Sequence, residues 1–257
     1  FLDVLSSYFR KYQSGVVLDF AGLGKKDMEN AFTKLGTGSL GGKARGVAFI
    51  NSMITKALLA DKYEGVTVKA PRSFVICSDI FEQFIEDNSL YGVNADYFGE
   101  EEIARKFLTG ALPPMIQENL RILTQFIKCP LAVRSSSILE DSRVLPFAGI
   151  YKTYVVPNSH EDPEVRCRQL ADAVKLVYAS VFYAAPVQYA RNADIRIEEE
   201  KMAVLIQELV GETYGEHYFP AISGVAQSYN FYPYEPMKPE EGTVSLALGL
   251  GKSIVEG

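Results

Sequence analysis

Two cations sit in contexts that suit them to a polyanion. Lys43 closes the run Gly36-Thr-Gly-Ser-Leu-Gly-Gly-Lys43. Glycines let backbone amides approach an anion closely, and a helix opening after them adds the positive end of its dipole. The lysine contributes a mobile full charge. Ala44 follows it, so the run is not a GxxxxGK[ST] phosphate loop. A flexible loop with a solvated lysine is the plain alternative. Arg134 ends the apolar stretch that opens Leu131-Ala-Val-Arg-Ser-Ser-Ser-Ile-Leu-Glu-Asp141. A guanidinium at the rim of a core can grip two phosphate oxygens at once. Ser135, Ser136 and Ser137 add hydroxyl and amide donors. Pairing of Arg134 with Glu140 or Asp141 is the structural alternative.

Three further stretches carry weaker signals. In Phe147-Ala-Gly-Ile-Tyr151 the small residues, Gly149 among them, permit a ligand beside the backbone, and a tight turn explains them equally well. Met202–Val210 reads as a buried strand, with Gln207 and Glu208 able to offer edge hydrogen bonds to a base in an apolar slot. Leu248-Gly-Leu-Gly-Lys-Ser253 offers backbone at Gly249 and Gly251 beside another lysine. The two histidines, His160 and His217, lie in polar loops and read as solvated. No HExxH, nucleophile elbow or calcium-loop pattern occurs.

These residues need elements to position them. Residues 1–35 read as helix, loop and helix, with Asp27 capping a short helix that runs through Leu35. The glycine run opens into a helix over Ala44–Ala60, whose stripe is Val47, Ile50, Ile54, Ala57 and Leu58. Strands are expected at Val66–Val68, Ser73–Cys77, Leu131–Arg134, Gly149–Val156, Met202–Val210, Gly224–Tyr229 and Thr243–Leu248. Helices are expected at Asp79–Asn88, Glu100–Leu108, Pro113–Phe126 and Pro163–Tyr183. Ser135–Ser142 and Tyr232–Gly242 read as loops. The mixture predicts an α+β or mixed α/β fold.

Composition sets the outer bounds. The 257 residues are 47% hydrophobic and 23% charged, enough apolar material for a substantial core. The net charge of −6 excludes the broad basic face that nucleic-acid binding relies on. Cys77, Cys129 and Cys167 form no CxxC pair and fit three reduced thiols in a cytoplasmic protein. No run of about 18 apolar residues is apparent, so no membrane span is expected. The ends read as cut, which predicts a fragment of a longer chain.

Taken in order, Gly41-Gly-Lys-Ala44, Phe74-Val-Ile76, Ala132-Val-Arg-Ser-Ser136 with Glu140-Asp141, Phe147-Ala-Gly149, Val204-Leu-Ile-Gln207, Ser223-Gly-Val-Ala226 and Gly249-Leu-Gly251 form a series. That series resembles the amino-terminal ATP-grasp region of phosphoenolpyruvate synthase and pyruvate phosphate dikinase, over residues 36–257. The resemblance implies an ATP-grasp fold with ATP between two α+β subdomains. Residues 1–35 would be an amino-terminal helical extension, 36–195 the first subdomain, and 196–257 the start of the second. It implies ATP and Mg2+ as ligands. Lys43 and Arg134 would contact phosphates, backed by Gly41, Gly42, Ser135, Ser136, Gly149, Gly249 and Gly251. Gln207, Glu208 and Val210 would line the adenine side. The phosphoryl group would pass to a histidine on a separate domain, and then to pyruvate on another domain of the parent chain. Two departures stand out. Ser223-Gly-Val-Ala226 runs into Gln227 without the family's following arginine and acid, and Lys252 replaces a frequent glutamate. Glu240 and Glu241 are then the substitute magnesium carboxylates. The alternatives are a dikinase with a glucan or antibiotic acceptor, and a degenerate domain that only senses nucleotide.

Overall fold

The computed structural model describes residues 32–57, 62–137, 149–197 and 200–251. The chain divides into two compact units, Phe1–Leu209 and Val210–Gly257.

The first unit is built on a mixed five-stranded sheet. Its strands are β1 (Phe32–Leu35), β2 (Ser73–Ile76), β3 (Leu131–Ser137), β4 (Thr153–Val156) and β5 (Met202–Glu208), in the order β1-β2-β5-β3-β4. β1 and β2 are parallel, and the other neighbours are antiparallel. The helices among its described residues are α1 (Gly41–Lys56), α2 (Ser78–Asp87), α3 (Glu100–Thr109), α4 (Pro114–Phe126), α5 (Pro163–Ser180) and α6 (Ala184–Asn192). β5 is last in sequence yet central in space, which explains its unbroken aliphatic run: both of its faces are covered.

Side chains alternate across the sheet with period two. One face sends Phe74, Ile76, Leu131, Val133, Val204 and Ile206 into the main core, against Phe81 and Phe84 of α2, Phe107 of α3, Leu120 of α4 and Tyr178 of α5. The opposite face sends Phe32, Val75, Cys77, Ala203 and Leu205 against Leu40 and Ala44 at the start of α1. Ala132, Arg134 and Ser136 share this second face by strand alternation. The sheet is therefore a wall with a deep core behind it and a thinner, more polar layer in front.

Several expectations are corrected. Phe32–Leu35 is a strand and not the end of a helix, because pairing with β2 overrides local propensity; residues 1–31 lie outside the described residues. α1 begins at Gly41, so Lys43 sits in its first turn and not in the loop before it. Of the predicted stripe, Ile50 is exposed and Val47 and Ile54 are half-buried, since only the start of α1 meets the sheet. β3 continues through Ser137, because the backbone of the serines that looked like loop chemistry pairs in register with β5. Val66–Val68 contributes only a bridge from Val66 to Tyr63. The helix after Pro163 ends at Ser180, and a second one, α6, follows it. The span Pro163–Asn192 is long and apolar enough to cross a membrane by length and composition alone, but 67% of its most apolar stretch is buried inside the fold, as in a core helix.

The second unit holds a hairpin, β6 (Glu212–Tyr214) with β7 (His217–Phe219), and an antiparallel ribbon, β8 (Ile222–Gln227) with β9 (Thr243–Leu248). A single 3-10 turn, Pro239–Glu241, lies within the predicted loop between β8 and β9.

Candidate functional site

The start of α1 is fastened to β3 by one serine. The Ser136 hydroxyl donates to the Leu40 carbonyl at 2.8 Å and accepts the Ala44 amide at 3.0 Å. Gly41 makes this approach possible. Its φ is +68°, and a Cβ there would stand 1.5 Å from the Ser136 carbonyl oxygen. Both the backbone angle and the contact demand glycine. Gly42 is buried beside it. The result presents the first turn of α1, with no acidic residue in it, against the middle of the sheet. There the Lys43 Nζ rests 3.1 Å from the Ser135 hydroxyl. Ser135 and Ser136 are themselves fully buried.

Arg134 is the next residue along β3 from Ser135. Its Nη1 donates to the Gln207 Oε1 at 3.1 Å, and the Gln207 amide donates in turn to the Ser73 hydroxyl at 3.1 Å. The three residues stand on β3, β5 and β2, so a polar row crosses three strands. The register explains it: Gln207 faces Ala132 on one side and Ser73 on the other. The row also fixes the Gln207 amide, with its oxygen toward the arginine and its nitrogen toward the serine.

Beside this row, Glu208 pairs with Arg72 at 3.4 Å, and its amide donates to the Arg72 carbonyl. Burial pushes the Glu208 carboxyl above its usual value, and the charges of Arg72 and Lys69 offset only part of that.

The loop before α1 is also held. The Asp79 carboxylate accepts the Thr37 amide at 2.8 Å and the Thr37 hydroxyl at 2.9 Å. Burial alone would raise the Asp79 pKa; the amides of Thr37 and Gly38 and the Thr37 hydroxyl outweigh it and hold the group below its usual value. The Ser39 amide donates to the Ser78 hydroxyl at 3.0 Å, and the Ser78 amide returns a bond to the Ser39 carbonyl.

The other expected residues are placed as follows. Gly149 lies in a turn at φ +75° with nothing near a hypothetical Cβ, so the turn accounts for the glycine. Glu140, Asp141, Phe147, Ala148 and Lys252 lie outside the described residues. Val210, Glu240, Glu241, Gly249 and Gly251 belong to the second unit. Val210 is exposed. Gly249 takes φ +76°, and its carbonyl accepts the Ser223 hydroxyl at 2.6 Å. A Cβ on Gly251 would stand 2.7 Å from that of Ser223. Glu241 accepts the Lys238 amide at 3.0 Å within its own turn. Among the described residues no three His, Cys, Asp or Glu side chains come together as a metal site.

Sequence reasoning missed Ser73, Arg72, Ser78, Thr37 and Asp79. The signal for the last three was present in the paired positions Gly36 and Gly38, which the glycine run offered only as an anion cradle. Nothing local marks Ser73 or Arg72, whose partners lie more than a hundred residues away on β5.

What the first unit assembles is a cationic, glycine-started helix turn beside an arginine-bearing strand, an arrangement suited to a phosphorylated ligand. Comparison with known families gives the same class. Residues 37–257 match the family described as pyruvate phosphate dikinase, AMP/ATP-binding domain, and the chain belongs to that family. Among its relatives is the phosphoenolpyruvate synthase of Aeropyrum pernix, 27% identical over 85% of this chain and 25% of that protein. Another is the uncharacterized phosphotransferase YvkC of Bacillus subtilis (strain 168), 27% identical over 73% of this chain and 20% of that protein. The chain thus spans a fifth to a quarter of the length of these curated relatives.

Proposed function

We propose that this chain is the ATP-holding part of a phosphotransferase resembling phosphoenolpyruvate synthase and pyruvate phosphate dikinase, with an ATP-grasp arrangement. Lys43 and Arg134 are its phosphate cations, and Gln207 lies on the adenine side. One observation carries the reading. Lys43 and Ser135 are 92 residues apart in sequence, yet the lysine ammonium is hydrogen-bonded on β3, the strand that carries Arg134, at a residue whose side chain alternates to the opposite face of the sheet from the arginine. A triphosphate carries several negative charges, and two preorganised cations offset them without the cost of ordering long side chains at binding.

The polar row from Arg134 to Ser73 supports Gln207 as a fixed hydrogen-bonding edge. Ser136 serves the site by anchoring α1, and its own hydroxyl is committed to that task. The roles of Glu208, Val210, Gly149, Gly249 and Gly251 rest on the resemblance. So does that of Glu240 and Glu241 toward magnesium. Glu241 is engaged in its own turn, and in this reading magnesium arrives on the nucleotide's phosphates. Transfer to a histidine on a separate domain, and from there to pyruvate on a further one, belongs to the longer protein. A cytoplasmic setting is proposed on three free thiols.

Titration calorimetry with magnesium-ATP tests the reading. The unaltered chain should bind saturably. Lys43→Ala and Arg134→Ala should each weaken binding by roughly tenfold or more, the loss of one charge-assisted contact. Undiminished affinity in both variants removes the phosphate assignment. No binding by the unaltered chain removes the function.

A further inference from the structure

The run Gly36-Thr-Gly-Ser39 is not an open cradle, because its inner side is filled by a carboxylate of the chain itself. A Cβ on Gly36 would stand 2.6 Å from the Asp79 Oδ1, and one on Gly38 would stand 2.6 Å from the Asp79 amide nitrogen and 2.8 Å from its Oδ1. Gly36 also takes φ +99°. Two of the run's glycines are therefore required by Asp79. The carboxylate accepts the amide and hydroxyl of Thr37, and Ser78 exchanges two hydrogen bonds with Ser39. These contacts tie the loop to the first two residues of α2, a helix whose Ile80, Phe81 and Phe84 are sunk in the main core. Two residues beyond Ser39, α1 begins, and its third residue is Lys43.

We propose that Asp79 is a positioning residue of the nucleotide site: its carboxylate, with Ser78, latches the 36–39 loop onto the rigid start of α2 and so sets where α1 begins and where Lys43 stands. This rests on the reading of Lys43 as a phosphate cation. The latch works by preorganisation. A loop of two glycines and two small hydroxyl residues has many conformations, and holding it in one before the ligand arrives removes that ordering cost from binding. Asp79 does not touch the ligand in this arrangement; it acts through the loop and the helix that follows.

The discriminating feature is phosphate dependence. A latch that positions Lys43 should matter for ligands with phosphates and not for the base. The full chain is titrated with magnesium-ATP and, separately, with adenosine, for the unaltered protein, Asp79→Asn, Asp79→Ala and Lys43→Ala. Asp79→Ala should weaken magnesium-ATP by about tenfold or more and leave adenosine within about twofold, with Asp79→Asn, which keeps one acceptor oxygen, in between. Amide hydrogen exchange without nucleotide supplies a second readout: Thr37–Ser39 should exchange faster in Asp79→Asn than in the unaltered chain. If Asp79→Ala does not fold, Asp79→Asn alone carries both measurements.

The idea is overturned if Asp79 variants bind magnesium-ATP as well as the unaltered chain, or more tightly, while Lys43→Ala has lost it. Tighter binding would mean the carboxylate competes with phosphate for the loop amides. An equal loss for ATP and adenosine, or unchanged exchange at Thr37–Ser39, overturns it as well. A Lys43→Ala variant that keeps full affinity sinks the underlying site assignment instead, and the two failures are told apart by that variant.

Discussion

In the proposed nucleotide site, Arg134 is the residue at which side-chain type, and not charge alone, should matter. Its guanidinium already spends one N–H on Gln207 and retains others in a fixed planar fork. A lysine on the same strand would be a single compact ammonium on a flexible stem. Arg134→Lys should therefore fail to rescue nucleotide binding, with an affinity for magnesium-ATP closer to Arg134→Ala than to the unaltered chain by calorimetry. Recovery of full affinity would show that charge alone suffices there and that the row through Gln207 to Ser73 is incidental. Gly41 teaches the same lesson about backbone. Its value lies in letting a helix start touch a strand, and no ligand is needed to explain it.

At the scale of elements, the proposed site rests on two joints. The first is α1 on β3. Removing the Ser136 hydroxyl leaves the Leu40 carbonyl and the Ala44 amide without this partner in a buried setting, a cost of about 1–3 kcal/mol for each group left unsatisfied. Ser136→Ala should lower the urea midpoint accordingly, with the slope unchanged; a midpoint equal to that of the unaltered chain would show that the joint does not depend on this residue. The second joint is the end of β5, where Glu208 pairs with Arg72. Its folded pKa is raised, chiefly by burial. The folded state therefore holds that proton more tightly than the unfolded chain. The resulting stability is present below the unfolded pKa and is lost as pH rises through the folded one. Glu208→Gln should accordingly gain stability relative to the unaltered chain as pH is raised through the carboxylate range toward neutrality, read from urea midpoints at successive pH values. A difference that shrinks with rising pH would mean that the ion pair with Arg72 outweighs burial.

At the scale of the whole molecule, the two units differ in how they bury apolar surface. The first has a continuous core on one face of its sheet and a smaller cluster on the other. The second has a ribbon whose register puts Ile222, Gly224 and Ala226 on the same face as Leu248, Leu246 and Val244. Ile222, Val244, Leu246 and Leu248 of that face are all exposed. A two-stranded ribbon gains little stability by itself, and an apolar patch of this kind favours association or dye binding. Replacing Val244 with Thr and Leu246 with Ser should lower the fluorescence of a hydrophobic dye bound by the chain and raise its solubility. Unchanged dye binding would place the sticky surface elsewhere.

Much of this protein was legible along the chain. Period-3.6 patterns marked α2, α3 and α4, because each has one stripe to bury, and the aliphatic run at Met202 marked β5. The ordered series from Gly41 to Gly251 marked the family. Local sequence carried no trace of what depends on pairing. Phe32–Leu35 became a strand only because β2 lies beside it. Ser135–Ser137 extended a strand only because β5 offered partners, and the α1 stripe is only partly covered, with Val47 packed against the second cluster and Ile50 exposed, because only the start of the helix meets the sheet. The amino acids alone determined which residues carry charge and where the backbone needs glycine, since these are properties of single residues. The tertiary structure decided what each charge and glycine is for: Gly36 and Gly38 for Asp79, Gly41 for Ser136, Gln207 for Arg134. Hydrogen bonds and van der Waals contacts act over a few ångströms of space, and residues that close are often far apart in sequence.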